Sequence, residues 1–416
     1  MPETTLTTES VAPKTSFWTK FAIVYIVIMA TSYGYIEQGA GFGPLKLLML
    51  ALATLLAFSA MFRFSTALLC GFFYLGWQFL SASFHMETWR WSTLIFSVLL
   101  VSSYICMYNL IYIQKVFSVD CFIKLVKGLI FVFFVVCILQ QCCIIVGIRS
   151  FPLINLWGYL NRGLGCNSLS MEPSTFARTM LVCYYCYIKC NEYKRNRGRF
   201  TLKELFSGEH KKVTLCFLWM MTTMGSGTAY GCLIALSCYF ITKKNYGVLL
   251  PLLLGGYIAL QYLPQPEHMK RATSLINATV GTRDIQEMQE ADGSGSSRIA
   301  PLINSFNADF SKTETWFGHG IDYAVNGNLV LSQKATLFDD YGFIFYMITL
   351  IFDFLCAYRF FSLATVFMLM GVAGGAGTNI HYAWILMVLM TCERYFYETQ
   401  KEYQDKEENT SDKGSL

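Results

Sequence analysis

The sequence predicts an all-α polytopic membrane protein. Three observations carry that prediction: a lipid-like composition, a train of apolar runs, and basic residues gathered on one side of those runs. Of 416 residues, 54% are apolar and only 14% are charged, whereas a soluble domain carries about 25% charged residues. Mean hydropathy is +0.43 and aromatic residues make up 16% of the chain. The formal charge of +5 is mild. A nucleic-acid partner would require a dense basic face, and none is visible. Disorder, a coiled coil and a secreted disulfide scaffold are excluded by the same composition.

Fifteen cysteines do not change this reading. Most fall inside apolar runs, where cysteine acts as a small hydrophobe that lets helices approach. Cys183 and Cys186 form a CxxC, but no second pair or histidine cluster completes a zinc set, so no metal and no cofactor is expected. The N-terminal tail, residues 1–16, is polar and acidic where a signal peptide is basic, so the first apolar segment is expected to remain as an anchor.

A bilayer core requires about 20 apolar residues per helix. Runs of that kind lie at 17–36, 45–62, 65–82, 91–113, 126–148, 170–189, 246–263, 341–357, 360–377 and 380–397. The 29-residue stretch 213–241 is broken by Gly225-Ser226-Gly227-Thr228 and reads as one long helix or as two short helices around a polar turn. Charge decides between them. Residues 189–212 hold eight basic residues against three acids, which makes this loop cytoplasmic by the positive-inside rule. Only a hairpin at 213–241 also leaves Lys243, Lys244, Arg359 and the tail 398–416 on that side. The prediction is therefore about twelve transmembrane segments with both termini cytoplasmic. Segments one to nine occupy 17–263 and segments ten to twelve occupy 339–397. The opposite face then receives 149–169, the turn 225–228, the short turn 374–378 and a large, partly helical loop, 264–338.

Candidate chemistry collects on that opposite face. Arg162, with Gly163 and Gly165, precedes Glu172-Pro173-Ser174 and Arg178 at the outer end of the sixth segment. Ionisable groups in a span are costly and mark function by default. The ordinary alternative is that Glu172 pairs with Arg162 or Arg178 to fix the helix end. At the hairpin, backbone N–H groups with the helix dipole make an anion seat, and Ser226, Thr228 and Tyr230 add hydroxyls. The large loop carries Arg271, Arg283 and Arg298, then Trp316-Phe317-Gly318-His319-Gly320-Ile321-Asp322. Asp339-Asp340-Tyr341-Gly342-Phe343 opens the tenth segment, where carboxylates also suit a helix N-terminus. Several arginines beside one turn at the lipid boundary match a lipid-linked phosphate or pyrophosphate, because guanidinium forks pair with phosphate oxygens.

In these residues the chain resembles the superfamily of O-antigen polymerases and O-antigen ligases of bacterial inner membranes. The resemblance covers about 160–345 and rests on Arg162 with Gly163 and Gly165, Glu172-Pro173-Ser174 with Ala177, Ser226-Gly227-Thr228, Ser297-Arg298, Phe317-Gly318-His319-Gly320 and Leu337-to-Ile344. Two departures favour the polymerase branch. Gly227 stands where the ligases carry an arginine, and Leu331 stands where they carry a histidine. The resemblance implies an inverting, metal-independent glycosyltransferase that joins oligosaccharide repeat units linked to undecaprenyl pyrophosphate, on the periplasmic face of the inner membrane. The product would be O-antigen or a capsule-like polysaccharide. Arg298, Arg162 and Arg178 would hold the pyrophosphate, with Arg271 and Arg283 as further substrate contacts. Glu172, or else His319 or Asp322, would take the acceptor proton. A chain-length regulator is the protein partner that this resemblance implies.

The ligase is the nearest alternative, and a polysaccharide flippase or other transporter is the next. A transporter would bury charges at mid-membrane, where this chain has mainly Asp353. On this reading Arg298→Ala removes most glycan-polymerising activity at unchanged protein abundance. If that variant stayed active, read by immunoblot and glycan gel, Arg298 would have no place in the site.

Overall fold

The computed structural model describes residues 16–31, 51–52, 54–55, 63–148, 164–170, 172–195, 198–241, 308–321, 333–365 and 381–413, with isolated positions at 247, 251, 254–255, 258, 270, 274, 277, 287, 290 and 323. Among them every regular element is a helix. In chain order these are α1 (Phe17–Thr31), α2 (Thr66–Phe84), α3 (Trp91–Tyr112), α4 (Val119–Val146), α5 (Pro173–Arg195), α6 (Leu202–Leu205), α7 (His210–Thr223), α8 (Gly227–Ser237), α9 (Thr313–Phe317), α10 (Gln333–Cys356) and α11 (His381–Lys413). Short 3-10 turns lie at Met86–Thr88 and Cys238–Phe240. The predicted spans 45–62, 246–263 and 360–377, and most of the loop 264–338, lie largely outside the described residues.

Among the described residues three helices, α2, α3 and α4, are long and apolar enough to cross a membrane. Local signals set their limits. Ser65 and Ser118 cap α2 and α4 by accepting from Leu68 N–H and Cys121 N–H. The α4 helix starts at Val119, before the apolar run at 126, because that serine cap and Asp120 in its first turn open it early. It shows apolar side chains outward (Val132, Val135, Leu139, Ile145) as a lipid-facing helix does.

The α5 helix differs. From Pro173 to Ile188 every residue is buried, its tyrosines and cysteines included. A helix wrapped on all sides by protein needs no lipid-compatible surface, which is why polar groups are tolerated along its length. It packs against α4, α8 and α11, while α3 is enclosed in the same way by α2 and α11.

The predicted break in 213–241 is present: α7 ends at Thr223, Gly225 and Ser226 form the turn, and α8 leaves in the reverse direction. Tyr184 of α5 stacks on Phe217 at 4.1 Å and reaches Thr214 Oγ1 at 2.9 Å, which aligns the hairpin with the central helix.

The helix ends sort into two faces. The basic end gathers Val116, whose carbonyl accepts from Thr19 Oγ1, the ion pairs Lys194–Asp120 (2.7 Å) and Arg359–Glu393 (2.6 Å), and Arg394 Nη1 donating to Phe354 O. It also holds the Thr201/Glu204 capping box of α6. There the Thr201 backbone N–H and hydroxyl, then Arg195, hold the Glu204 carboxyl down at about 2.

At the opposite end, residues 317–320 dock on the start of α10. His319 and Gly320 donate N–H to the carbonyls of Asp339 and Asp340 (3.0 and 2.9 Å). Trp77 stacks on Phe317 and donates Nε1–H to Tyr341 O at 3.2 Å, and Ser81 Oγ donates to Phe317 O at 3.0 Å. This crossing explains two glycines. Gly318 (φ 81°, ψ −173°) and Gly342 (φ 83°, ψ 175°) occupy a region that only glycine enters readily. A Cβ on Gly318 would fall on the Asp340 carbonyl, and one on Gly342 would fall on the Trp316 carbonyl.

Gly318→Ala and Gly342→Ala are each expected to cost about 1–3 kcal/mol from backbone strain alone, before the collision is counted. Both should lower the unfolding temperature in detergent by several degrees. Gly76→Ala, with open space around it, should not; equal behaviour of all three variants would contradict the crossing.

Candidate functional site

The site is built where regular helix stops inside the bundle. Pro173 takes the first position of α5, where a missing N–H costs nothing. The preceding chain, 164–170, is not helical, and 165–170 is buried. Irregular backbone at that depth requires its polar groups to be satisfied by protein, and α4 does this with one side chain. Gln140 Nε2 donates to Asn167 Oδ1 and Ser168 O, each at 3.1 Å, and Gln140 Oε1 accepts from Ser168 N–H at 2.7 Å. Ser168 Oγ donates to Phe133 O, and Asn167 Nδ2 donates to Ser170 O. Ser168 is held at φ 48° by these bonds. The neighbouring Gln141 ties α7 instead, donating to Thr223 Oγ1 at 2.7 Å and accepting from Trp219 Nε1 at 3.0 Å.

These bonds fix depth. Phe133 stacks on Phe176 at 5.6 Å, and α4 continues thirteen residues further, to Val146. At about 1.5 Å per residue, α5 therefore opens about 15 Å below the end of α4. By the same reckoning the Gln141–Thr223 contact sets the hairpin turn about 8 Å below that end. The α7 helix has 14 residues and is about 21 Å long, short of the ~30 Å bilayer core. The turn is thus buried within the bundle and does not emerge on its outer face.

Glu172 sits half-buried at the mouth of α5 and accepts a hydrogen bond from Ser174 Oγ at 2.5 Å. Arg178, one and a half turns deeper, is 6% exposed. Its Nη1 donates to the Tyr382 hydroxyl at 2.6 Å, and its Nε has no hydrogen-bond partner. It forms no ion pair among the described residues. The pairing of Glu172 with Arg178 that the sequence allows is therefore not made.

The helix carrying Arg178, α5, packs against α8, which carries Cys232. Arg178 is five residues from the start of α5, and Cys232 is five residues from the start of α8. The two helices pack side by side and run in the same direction, and by the depths above α8 opens nearer the end of α4 than α5 does. Ser226, the N-cap of α8, is buried and its side chain makes no capping bond. Thr228 is half-buried in the first turn, and Tyr230 hydroxyl reaches back to Thr222 O at 3.4 Å to close the hairpin. The dipole of α8, the uncapped Ser226 at its start and a guanidinium with no ion pair among the described residues favour an anion here.

His319 belongs to a second cluster, at the crossing with α10. Its Nδ1 lies 3.1 Å from the Asp339 carbonyl, which only accepts, so Nδ1 carries the proton and Nε2 is left as a base. The ring stacks on Tyr323 at 4.4 Å. Burial raises the Asp339 carboxyl above the ordinary carboxylate range, and His319 opposes that rise. His319 has no hydrogen bond or ring contact with Glu172 or Arg178. Arg162, Arg271, Arg283, Arg298 and Asp322 lie outside the described residues.

The fold also supplies groups that sequence reading passed over. His85 and Glu87 (3.4 Å apart) flank the docked turn, where a Cβ on Gly320 would strike His85 and Thr88. Tyr382 holds Arg178. Gln140 and Gln141 did leave a signal, as two adjacent amides in an otherwise apolar run.

No protein-family model, no curated protein and no solved structure matches this chain.

Removing a buried charge that has no acidic partner relieves a desolvation penalty. Arg178→Met is therefore expected to keep or raise the unfolding temperature in detergent. A drop of several degrees would mean that the guanidinium holds the fold together.

Proposed function

We propose that this chain is a membrane-embedded glycosyltransferase that joins oligosaccharide repeat units carried on undecaprenyl pyrophosphate, an O-antigen-type polymerase. One observation carries the reading: Arg178 is buried in α5, beside the co-directed α8, with an unpartnered Nε and no ion pair among the described residues. A structural arginine at that depth would be neutralised by a carboxylate. One left open suits an anion that comes and goes, and a lipid-linked pyrophosphate enters a site at this depth from the bilayer itself.

In this reading the chain crosses the membrane about twelve times. The basic end is cytoplasmic, and the end bearing His319 and Asp339 is periplasmic. The pyrophosphate of the donor sits against Arg178 and the first-turn amides of α8, with Ser226 and Thr228 hydroxyls beside it. Arg162 and Arg298 complete the cradle and balance the charge that develops as the lipid pyrophosphate leaves, without a metal. The acceptor hydroxyl attacks the anomeric carbon from the opposite side, inverting it, and Glu172 takes its proton. His319, through Nε2, is the alternative base. Holding both lipid-linked chains in one site supplies much of the rate by proximity.

The test compares surface glycan from a deletion strain carrying the wild-type gene, Arg178→Met or no gene. Collapse of the ladder to a core bearing one repeat, in both the deletion and the Arg178→Met strain, is the expected result. Bare core with lipid-linked polymer accumulating would make the chain a ligase. Lipid-linked single repeats trapped on the cytoplasmic side would make it a flippase, and an unchanged ladder would end the O-antigen reading.

A further inference from the structure

Two thiols meet where the irregular segment leading into α5 packs on α4. Cys137 of α4 and Cys166 of the irregular segment 164–170 are both fully buried, with Sγ atoms 3.2 Å apart. A covalent S–S bond is about 2.05 Å long, so closure by about 1 Å joins them. The bonds around them already hold this geometry. Gln140 pins Asn167 and Ser168, and Gln141 Nε2 lies 3.9 Å from Cys166 Sγ. A second pair of neighbouring cysteines lies at the other end: Cys70 of α2 is close to Cys356, the last residue of α10.

We infer that Cys137 and Cys166 are joined as a disulfide in the mature protein, while Cys70 and Cys356 stay as thiols. The difference follows from sidedness, and so rests on the orientation given under the proposed function. Segment 164–170 passes through the oxidising outer compartment, whereas the Cys70–Cys356 contact lies at the cytoplasmic, reducing end.

The chemistry is thiol–disulfide exchange with an outer-compartment disulfide oxidant. The thiolate of one cysteine attacks the oxidant's disulfide and forms a mixed disulfide. The thiolate of the other then attacks that cysteine's sulfur and releases the oxidant's second sulfur. Two thiols lose two protons and two electrons, and the oxidant's disulfide becomes two thiols. Both sulfurs are inaccessible once 164–170 seats on α4, so the bond forms before seating and is shielded from reductants afterwards. Its consequence is positional: it staples to α4 the segment that sets where α5, Glu172 and Arg178 begin.

The experiment needs no activity assay. Protein extracted from membranes into acid, denatured, alkylated with N-ethylmaleimide and digested with trypsin without reductant is examined by mass spectrometry. The expected result is peptide 128–149 linked to peptide 163–178, lighter by two hydrogen atoms than their sum, with fragmentation placing the link at Cys137. Cys70 and Cys356 are expected to carry maleimide. Alkylated Cys137 and Cys166 would overturn the inference, as would a link at Cys142 or Cys143. A disulfide at Cys70–Cys356 with Cys137 and Cys166 alkylated would overturn the orientation along with the inference. Links at both places would show indiscriminate oxidation and overturn the inference too. None of these outcomes depends on whether the chain polymerises glycan.

Discussion

A single side-chain amide governs the depth of the whole site. Gln140 of α4 offers two N–H bonds and one carbonyl to Asn167 and Ser168. Without such partners, a stretch of non-helical backbone could not be buried among apolar helices, since each unsatisfied group would cost several kcal/mol on the order set by a low-dielectric medium. With them, the chain enters α5 well below the end of α4, and Pro173, Glu172 and Arg178 fall inside the bundle. The same turn of α4 supplies Gln141, which ties α7 and sets the depth of the hairpin. Two adjacent glutamines thus set where α5 begins and where the α7–α8 hairpin turns.

That arrangement inverts the usual economy of a buried charge. Elsewhere in the bundle, arginine is neutralised: Arg359 pairs with the fully buried Glu393 and lies over the Tyr397 ring, and Arg394 pairs with Glu398. The Arg359–Glu393 pair and the Arg394 bond to Phe354 O tie α11 to its neighbours at the basic end. Arg178 has only a hydroxyl, and the helix ends beside it present positive dipole where a carboxylate would be expected. The two ends of the molecule therefore differ in kind. One is closed by complementary charges, and the other holds Arg178 buried with no ion pair among the described residues.

The crossing at the opposite end shows how distant motifs are assembled. Phe317-Gly318-His319-Gly320 and Asp339-to-Gly342 touch through backbone, and α2 braces both through Trp77, Gln78 and Ser81. Backbone approaches this close exclude any Cβ, so glycine is a steric requirement at Gly318 and Gly342. Once docked, the Asp339 carbonyl fixes the His319 tautomer, and the 3-10 turn with His85 and Glu87 is carried to the same place.

Much of this was legible in the order of residues. Apolar runs marked α1 to α5, α10 and α11, although α4 and α10 begin seven and eight residues before their runs and α11 continues sixteen residues beyond its run; Pro173 gave a helix start and the Gly225–Thr228 break gave the hairpin, because each depends on local composition, periodicity or cap chemistry. The motifs carrying Glu172, Arg178, Ser226 and His319 were likewise visible as polar groups at the ends of apolar runs. Only tertiary packing decided the rest. It separated Glu172 from Arg178, sank the hairpin into the bundle, brought 317–320 against 339–342, and set Cys137 beside Cys166. Those outcomes join residues 20 to more than 200 positions apart through hydrogen bonds and steric fit. No periodicity or spacing encodes such contacts, since each partner taken alone reads as an ordinary residue of its own helix or loop.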